Sequence, residues 1–207
     1  MDRHDHTREG GSPSHSLLPS EPALRVKAIE TILLEKGLID AAAVDAIIDQ
    51  FENRIGPKVG AALIAKAWTD ASFKTALLKN GAAALASLGI SGIGAEQVIA
   101  VENTDSVHNV VVCTLCSCYP WAVLGLPPTW YKSEAYRSRV VREPRKVLAE
   151  FGLDLPQDVE VRVWDSTSEM RFLVVPQRPK GTEDMSEEQL ASLVSRDCMV
   201  GTAVPHL

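Results

Sequence analysis

The hydrophobic pattern of this 207-residue chain changes its period between Gly89 and Gly94. Before this point apolar residues recur at the spacing of amphipathic helices, and after it short runs rich in β-branched residues indicate strands. Helices and strands that are segregated along a chain are typical of α+β proteins. The sequence therefore predicts an α+β fold, in which a helical N-terminal arm precedes a layered α-β-β-α domain.

The same pattern predicts three segments. Residues 1–21 are polar and are expected to form a mobile tail, and its histidines are assigned no role. Residues 22–90 are expected to form the helical arm, whose apolar stripes either embrace a partner or pack within the chain. Residues 91–207 are expected to form the α+β domain, which contains a loop with three cysteines. The tail histidines are His4, His6 and His15.

Capping residues locate several helices. Asp40 and Asp70 are each placed to accept hydrogen bonds from the first turn of a helix, and Pro57 suits the first turn of another. Ser186 with Gln189 has the spacing of a capping box before the last helix.

Four short runs of β-branched residues indicate strands. QVIAVENT and HNVVV flank a turn at residues 103–106, whereas VEVRVW and RFLVV follow later and are separated by a short polar loop. That short loop predicts an antiparallel hairpin for the last two runs. The HNVVV run ends at a cluster of cysteines, so the cluster is expected to lie in a loop that leaves the sheet.

Charge and hydropathy limit the class of partner. The net charge is -6, and no basic stripe interleaved with aromatic residues marks a nucleic-acid surface. No apolar run approaches the roughly 20 residues that span a bilayer, so no membrane role is expected. The N-terminal segment lacks the apolar stretch of a secretory signal, which predicts a cytoplasmic protein with reduced thiols.

Three of the four cysteines, Cys113, Cys116 and Cys118, fall within six residues. A structural zinc site requires four ligands, so Cys198 or His108 would have to complete it. An iron-sulfur cluster also requires four thiolates at other spacings. Inert buried thiols are the remaining conventional interpretation.

A fourth interpretation starts from Ser117. The thiolates of Cys116 and Cys118 flank the peptide nitrogens of Ser117 and Cys118, so one metal ion can be held in a plane by two sulfurs and two nitrogens, with Cys113 as the axial ligand. A planar nitrogen and sulfur set favours a transition metal that acts as a Lewis acid. Exposed thiolates are also open to oxidation, which would change the charge and the acceptor oxygens around the open position of the metal.

The run CTLCSC at residues 113–118 resembles the metal-binding motif of nitrile hydratase α subunits, and YPWAVLGLPPTWYKSEAYRSRVVREPRKVL and VRVWDSTSEMRFLVVPQRP are similar to the same family. The resemblance implies a non-corrin cobalt(III) or low-spin iron(III) centre that hydrates a nitrile to its amide. It implies that Cys113 is the axial thiolate, that Cys116 becomes a sulfinic acid and that Cys118 becomes a sulfenic acid. The same resemblance makes Cys116 and Cys118 the candidate catalytic residues.

The resemblance extends to the metal and to partners. Thr114 and Tyr119 match the cobalt members of the family rather than the iron members. The family implies an obligate β subunit, in an αβ or α2β2 assembly, and a small activator protein that inserts cobalt. The sequence leaves the attacking nucleophile open among water, a metal hydroxide and the Cys118 sulfenate.

Two other functions stay open at this stage. The metal-bearing subunit of thiocyanate hydrolase uses a similar motif on another triple-bonded substrate. A non-catalytic subunit that binds zinc or another metal is the alternative from a different class.

Residues around the motif have weaker signals. Aromatic side chains after it wall a substrate pocket or pack in the core, and arginines support an oxidised site or pair at the surface. Acidic residues in the loop before RFLVV either support the metal ligands or form a turn, and turn chemistry is favoured. These residues are Trp121, Trp130, Tyr131, Arg142, Arg145, Arg171, Asp165 and Glu169. Cys198 is expected to be a buried structural thiol.

Overall fold

A computed structural model describes residues 21–49, 56–92 and 94–207 of the chain. The chain divides into two compact units between Ile47 and Ile48. Apart from Glu21, the predicted mobile tail lies outside the described residues, and so do its three histidines. None of the helices in the described part of the chain combines the length and apolar character that crossing a membrane requires.

The first unit contains α1 (Glu21–Glu35) and most of α2 (Ala41–Asp49). The Asp40 carboxylate accepts a hydrogen bond from the backbone N–H of Ala43 at 2.9 Å, which confirms the predicted cap. No described residue of α2 is buried. Large apolar side chains of the two helices are mostly exposed, namely Leu24, Val26, Ile29, Ile32, Ile47 and Ile48.

The second unit begins with three helices, α3 (Pro57–Thr69), α4 (Ala71–Lys79) and α5 (Gly81–Ser87). Pro57 starts α3 as predicted, and Asp70 caps α4 by accepting from the N–H of Phe73 at 2.9 Å. Asn80 caps α5 in the same way through Ala83. The pattern analysis missed α5 because its sequence, GAAALAS, is short and has little amphipathic character.

Four strands form two separate two-stranded sheets, and both pairs are parallel. β1 (Val98–Glu102) pairs with β4 (Arg171–Val175), so that Val98 lies opposite Arg171. β2 (Val107–Val112) pairs with β3 (Glu160–Asp165), so that Val107 lies opposite Glu160. The strand positions and the α+β class are confirmed.

The predicted antiparallel hairpin between β3 and β4 is wrong. After β3, the N–H of Ser166 donates to the carbonyl of Val112, so the chain continues along β2 instead of turning back on itself. Likewise, the N–H of Asn103 donates to the carbonyl of Val175 and extends the β1–β4 pair. The alternation of residues in β3 indicates that one face of the strand is half-exposed. A strand of this kind can pair with either a parallel or an antiparallel neighbour.

Short helices connect and close this unit. They are α6 (Trp121–Leu124), α7 (Thr129–Lys132), α8 (Glu134–Val140), α9 (Pro144–Glu150), α10 (Glu187–Ser192) and α11 (Arg196–Val200). The predicted capping box of Ser186 and Gln189 is present at the start of α10. The predicted final helix is interrupted, because Ser195 caps α11 as a new helix through the N–H of Cys198.

One hydrophobic core joins the helices and the strands of the second unit. Leu63 of α3, Leu77 of α4 and Leu85 of α5 are buried in the same cluster as Val110 and Leu173. The two compact units meet near residue 47, and α3 to α5 share one core with the sheets.

Gly201 marks a close approach between α11 and β2. Its φ of +92° lies in the left-handed region, and a Cβ atom there would stand 2.0 Å from the carbonyl oxygen of Asn109. Only glycine fits both the conformation and the space. This approach holds α11 against the strand that leads to the cysteine loop.

Candidate metal centre

The cysteine loop leaves the carboxyl end of β2, as predicted. Cys113 directly follows the buried residues Val110 to Val112 and is itself 1% exposed. Cys116 is exposed and Cys118 is half-buried. The cluster thus has one sulfur anchored in the core and two that face outward from a rigid element.

The three sulfur atoms lie close together. The Sγ atoms of Cys113 and Cys116 are 3.5 Å apart, those of Cys116 and Cys118 are 3.4 Å apart, and all three lie within 4.8 Å of one another. The backbone N–H of Cys116 donates to the sulfur of Cys113 at 3.3 Å. The chain therefore places three thiols where one ion reaches them all.

The electrostatics of the three thiols are unequal. Hydrogen bonds from the Cys118 and Cys113 thiols, and then from the N–H of Ser117, lower the pKa of the Cys116 thiol. Burial, followed by the neighbouring thiols, raises the pKa of the Cys118 thiol to about 12. The thiolate form is therefore favoured at Cys116 and opposed at Cys118.

The backbone completes a donor set. The peptide N–H groups of Ser117 and Cys118 lower the pKa of the Cys116 thiol, so both nitrogens belong to the immediate surroundings of the cluster. Three sulfurs and two adjacent peptide nitrogens suit a transition metal that can deprotonate amides better than they suit the four-ligand tetrahedron of a structural zinc site.

The two residues considered as a fourth zinc ligand are engaged elsewhere. The Nε2 atom of His108 donates to the carbonyl of Gly201 at 2.7 Å, and its Nδ1 atom lies 3.3 Å from the amide nitrogen of Asn103. Cys198 is buried with its sulfur 3.2 Å from the hydroxyl of Ser195. Neither belongs to the sulfur cluster, and Cys198 is the buried thiol that was expected.

Asp165 holds the start of the loop. Because β2 and β3 are parallel, their carboxyl ends meet, and Asp165 lies opposite Val112. Its carboxylate accepts from the N–H of Thr114 at 2.9 Å and from the hydroxyl of Thr114 at 2.6 Å. The predicted turn role of Asp165 is therefore wrong, whereas Glu169 does lie in the turn between β3 and β4.

Two buried tyrosines hold backbone carbonyls of the loop and of β2. The hydroxyl of Tyr131 donates to the carbonyl of Cys118 at 3.0 Å, and that of Tyr136 donates to the carbonyl of Val111 at 2.6 Å. Burial raises the pKa of both phenols, so both stay protonated donors. Tyr131 thus supports the loop rather than lining an open pocket.

Two arginines hold carbonyls near the two ends of the loop. Arg171 donates to the carbonyl of Tyr119 at 2.7 Å, and Arg137 donates to that of Thr114 at 3.2 Å. The sequence indicates Arg171 as a candidate but not Arg137, because nothing in it signals that a side chain of α8 crosses to residue 114.

Among the remaining candidate residues, one tryptophan packs in an aromatic cluster and two arginines bind backbone carbonyls away from the cysteine loop. Trp130 packs edge-to-face against Tyr136 and Phe151 at centroid distances of 5.0 and 4.8 Å, so it belongs to an aromatic cluster. Trp121 is half-buried at the start of α6 and stays a candidate pocket wall. Arg142 donates to the carbonyl of Ser138, and Arg145 donates to the carbonyls of Leu155, Pro156 and Val159.

Comparison with known proteins identifies the family. A family model described as nitrile hydratase, alpha chain, matches residues 20–203. The chain belongs to the nitrile hydratase alpha-chain family. The low-molecular weight cobalt-containing nitrile hydratase subunit alpha of Rhodococcus rhodochrous is 53% identical over 197 residues, which cover 94% of this chain and 95% of that protein.

Two further relatives show the range of this family. An iron-type nitrile hydratase from Comamonas testosteroni Ni1 superposes with a TM-score of 0.84 at 44% identity, covering 90% of this chain and 92% of that one. Thiocyanate hydrolase subunit gamma of Thiobacillus thioparus is 40% identical over 86% of this chain and 77% of that protein. The nitrile hydratase alpha chains are therefore more similar to this chain than the thiocyanate hydrolase subunit is.

Proposed function

We propose that this chain is the metal-bearing α subunit of a cobalt nitrile hydratase, which hydrates a nitrile to the corresponding amide. One observation carries the proposal: in a member of the nitrile hydratase alpha-chain family, three thiols lie within 4.8 Å of one another, with the peptide nitrogens of Ser117 and Cys118 in the same loop. This donor set suits cobalt, the metal in the names of two relatives.

Cobalt is the favoured metal. The Rhodococcus relative is named as cobalt-containing, and so is a relative from Pseudonocardia thermophila that is 55% identical over 89% of this chain and 91% of that protein. Thr114 and Tyr119 match the cobalt pattern of the family. Cobalt(III) without a corrin is therefore proposed, and iron(III) is the less favoured metal. When bound, such an ion supplies Lewis acidity toward a nitrile or water.

Each proposed ligand has a distinct environment. Cys113, buried at the end of β2, would be a thiolate ligand that solvent and oxidants do not reach. Cys116 is exposed and Cys118 is half-buried, which suits their proposed oxidation to sulfinic and sulfenic acids. The peptide nitrogens of Ser117 and Cys118 would complete the ligand set.

The oxidised sulfurs give the chain its catalytic groups. Oxygen atoms on Cys116 and Cys118 would be fixed hydrogen-bond acceptors beside the reacting nitrile and would orient water or take its proton. The loop that carries them is held by Asp165, Tyr131 and Arg171, so their positions are set before substrate binds.

A β subunit is the proposed obligate partner, in an αβ or α2β2 assembly. The apolar side chains of α1 and α2 are exposed, and Leu115 in the cysteine loop is 85% exposed. Apolar surface of this kind suits burial in a subunit interface. A nitrile substrate, a cobalt-inserting activator and a cytoplasmic location complete the proposal, and these rest on the family resemblance and the sequence.

The thiocyanate hydrolase alternative shares the loop but is supported less, because its gamma subunit is the more distant relative. The zinc alternative lacks a fourth side-chain ligand in the described part of the chain. Assays with nitriles and with thiocyanate on the same preparation separate the two enzymes.

The deciding experiment is mass spectrometry together with metal analysis on the chain co-produced with its β subunit and cobalt. The expected result is about one cobalt per chain, two added oxygens on Cys116, one on Cys118 and conversion of a nitrile to its amide. Zinc with three unmodified cysteines, in a sample matured with cobalt, would refute the proposal.

A further inference from the structure

Helix α8 reaches the cysteine loop through two consecutive side chains. The Tyr136 hydroxyl donates to the carbonyl of Val111 at 2.6 Å, and the Arg137 guanidinium donates to the carbonyl of Thr114 at 3.2 Å. These carbonyls lie two residues before and one residue after Cys113. One helix therefore fixes the backbone on both sides of the buried cysteine.

Arg137 differs from its neighbour Arg139 on the same helix. Arg139 pairs with Glu143 and Glu150 at the surface, whereas Arg137 has no ion pair with any residue that the structure describes. The Nε atom of Arg137 is buried and has no hydrogen-bond partner among the described residues. Its positive charge is thus left without a paired carboxylate next to the loop.

The cavity beside Arg137 has one other charged residue among its described lining residues, and the Asp165 carboxylate accepts hydrogen bonds from Thr114 on the loop. A cavity of about 390 Å³ is lined by Thr114, Glu134, Arg137, Ser138 and Val141. Glu134 is exposed and forms no ion pair with Arg137. Arg137 donates to the carbonyl of Thr114, which belongs to the cysteine loop. The three sulfurs of this loop would be negatively charged with a metal bound.

We propose that Arg137 is a positioning residue of the metal loop, which fixes Thr114 and thereby Cys113 and sets a positive charge beside the sulfur ligands. The inference rests on the proposed function, because it gives Arg137 a task only if the loop holds a metal. A lysine would keep the charge but not the planar, directed donors of the guanidinium.

The test uses the complete cobalt complex with its β subunit. Arg137→Met removes the charge and the hydrogen bond, and the readouts are cobalt per chain, the sulfur-to-cobalt absorption spectrum, and kcat and KM measured separately. We expect cobalt content or kcat to fall about tenfold or more, as is typical when a group that orients a metal ligand is lost. The absorption spectrum should shift, and KM should change little because Arg137 acts through Cys113.

Arg139→Met is the matched control. It removes an arginine from the same helix together with two surface ion pairs, so it reports the effect of α8 stability alone. Its spectrum, cobalt content and kcat should equal those of the wild type even if its Tm falls. An equal effect of both substitutions would assign the change to the helix and overturn the proposal, and so would an Arg137→Met complex that matches the wild type.

Arg137→Lys decides the case if Arg137→Met does not assemble. A shifted spectrum at a wild-type Tm supports the positioning role, whereas a wild-type spectrum and kcat overturn it. A wild-type complex with neither cobalt nor nitrile hydration would remove the proposed function and this inference together. If the wild-type complex binds cobalt and hydrates nitriles and the Arg137 variants behave in the same way, only this inference is removed.

Discussion

Val112 and Asp165 lie opposite each other at the last position of the parallel strands β2 and β3. This pairing brings the Asp165 carboxylate to Thr114, the second residue of the cysteine loop. A sheet register thereby sets the geometry of a candidate metal site.

Asp165→Asn should weaken metal binding. The substitution replaces one of the two carboxylate oxygens that accept from Thr114, so the start of the loop is held by one hydrogen bond instead of two. We expect cobalt content or kcat of the complex to fall about 10- to 100-fold. The loss in unfolding free energy should be only about 1 kcal/mol, because Asp165 is exposed.

Glu169→Gln is the control for that substitution, since Glu169 is an exposed carboxylate in the turn after β3. Metal analysis and kinetics on both complexes make the comparison. Wild-type cobalt content and kcat in Asp165→Asn would contradict the role assigned to the carboxylate.

The metal-free chain should react with iodoacetamide first at Cys116. This thiol is exposed and its pKa is lowered by its neighbours, whereas burial raises the pKa of Cys118 and Cys113 is buried. Because the thiolate is the nucleophile, a short pulse at neutral pH should label Cys116 ahead of the other two. Peptide mass spectrometry reads the order, and buried Cys198 serves as the internal control. First labelling at Cys113 or Cys118 would show that the order is wrong.

Stability should fall as pH drops below about 6.5 because of His108. Burial lowers the pKa of this imidazole below its usual value of 6.5, and the Gly201 hydrogen bond offsets this only in part. Between the folded and unfolded pKa values the unfolded chain binds the extra proton, so the folded state loses up to about 1.4 kcal/mol per pH unit. The contribution is fully present above pH 6.5 and is lost toward the lower folded pKa.

His108→Gln should remove this part of the pH dependence, since its amide stays neutral and still offers a donor to Gly201. Denaturant unfolding between pH 8 and 5 measures the difference between the two chains. If the unfolding free energies of the two chains depend on pH in the same way across that range, His108 is excluded as the source of the pH dependence.

Gly201→Ala should destabilise the chain more than Gly181→Ala. Both glycines have positive φ, +92° and +81°, but a Cβ atom at residue 201 would stand 2.0 Å from a carbonyl oxygen while residue 181 has nothing within 4 Å. We expect about 1–2 kcal/mol for the backbone strain at residue 181 and a clearly larger loss at residue 201. Urea unfolding midpoints test this, and equal losses would mean that α11 moves away from β2 at little cost.

Local signals in the sequence were sufficient for the helix starts and for the position of the loop. Asp40, Asp70 and Ser186 cap helices as predicted because a cap needs only the next three residues. The cysteine spacing predicted the convergence of three thiols, because small loops leave few other arrangements.

Contacts between distant segments could not be predicted in this way. The hairpin prediction was wrong because β3 and β4 each pair with a strand more than 40 residues earlier in the chain. The alternation of apolar and polar residues in a strand does not determine which strand it pairs with. Arg137 was missed for the same reason, since its contact with Thr114 spans 23 residues.

The bond between Asp165 and Thr114 spans 51 residues. During synthesis the three cysteines are therefore added to the chain before the residue that holds their loop. Until β3 has been made, the loop lacks the contacts of Asp165, and the order of translation delays the complete loop until most of the protein exists.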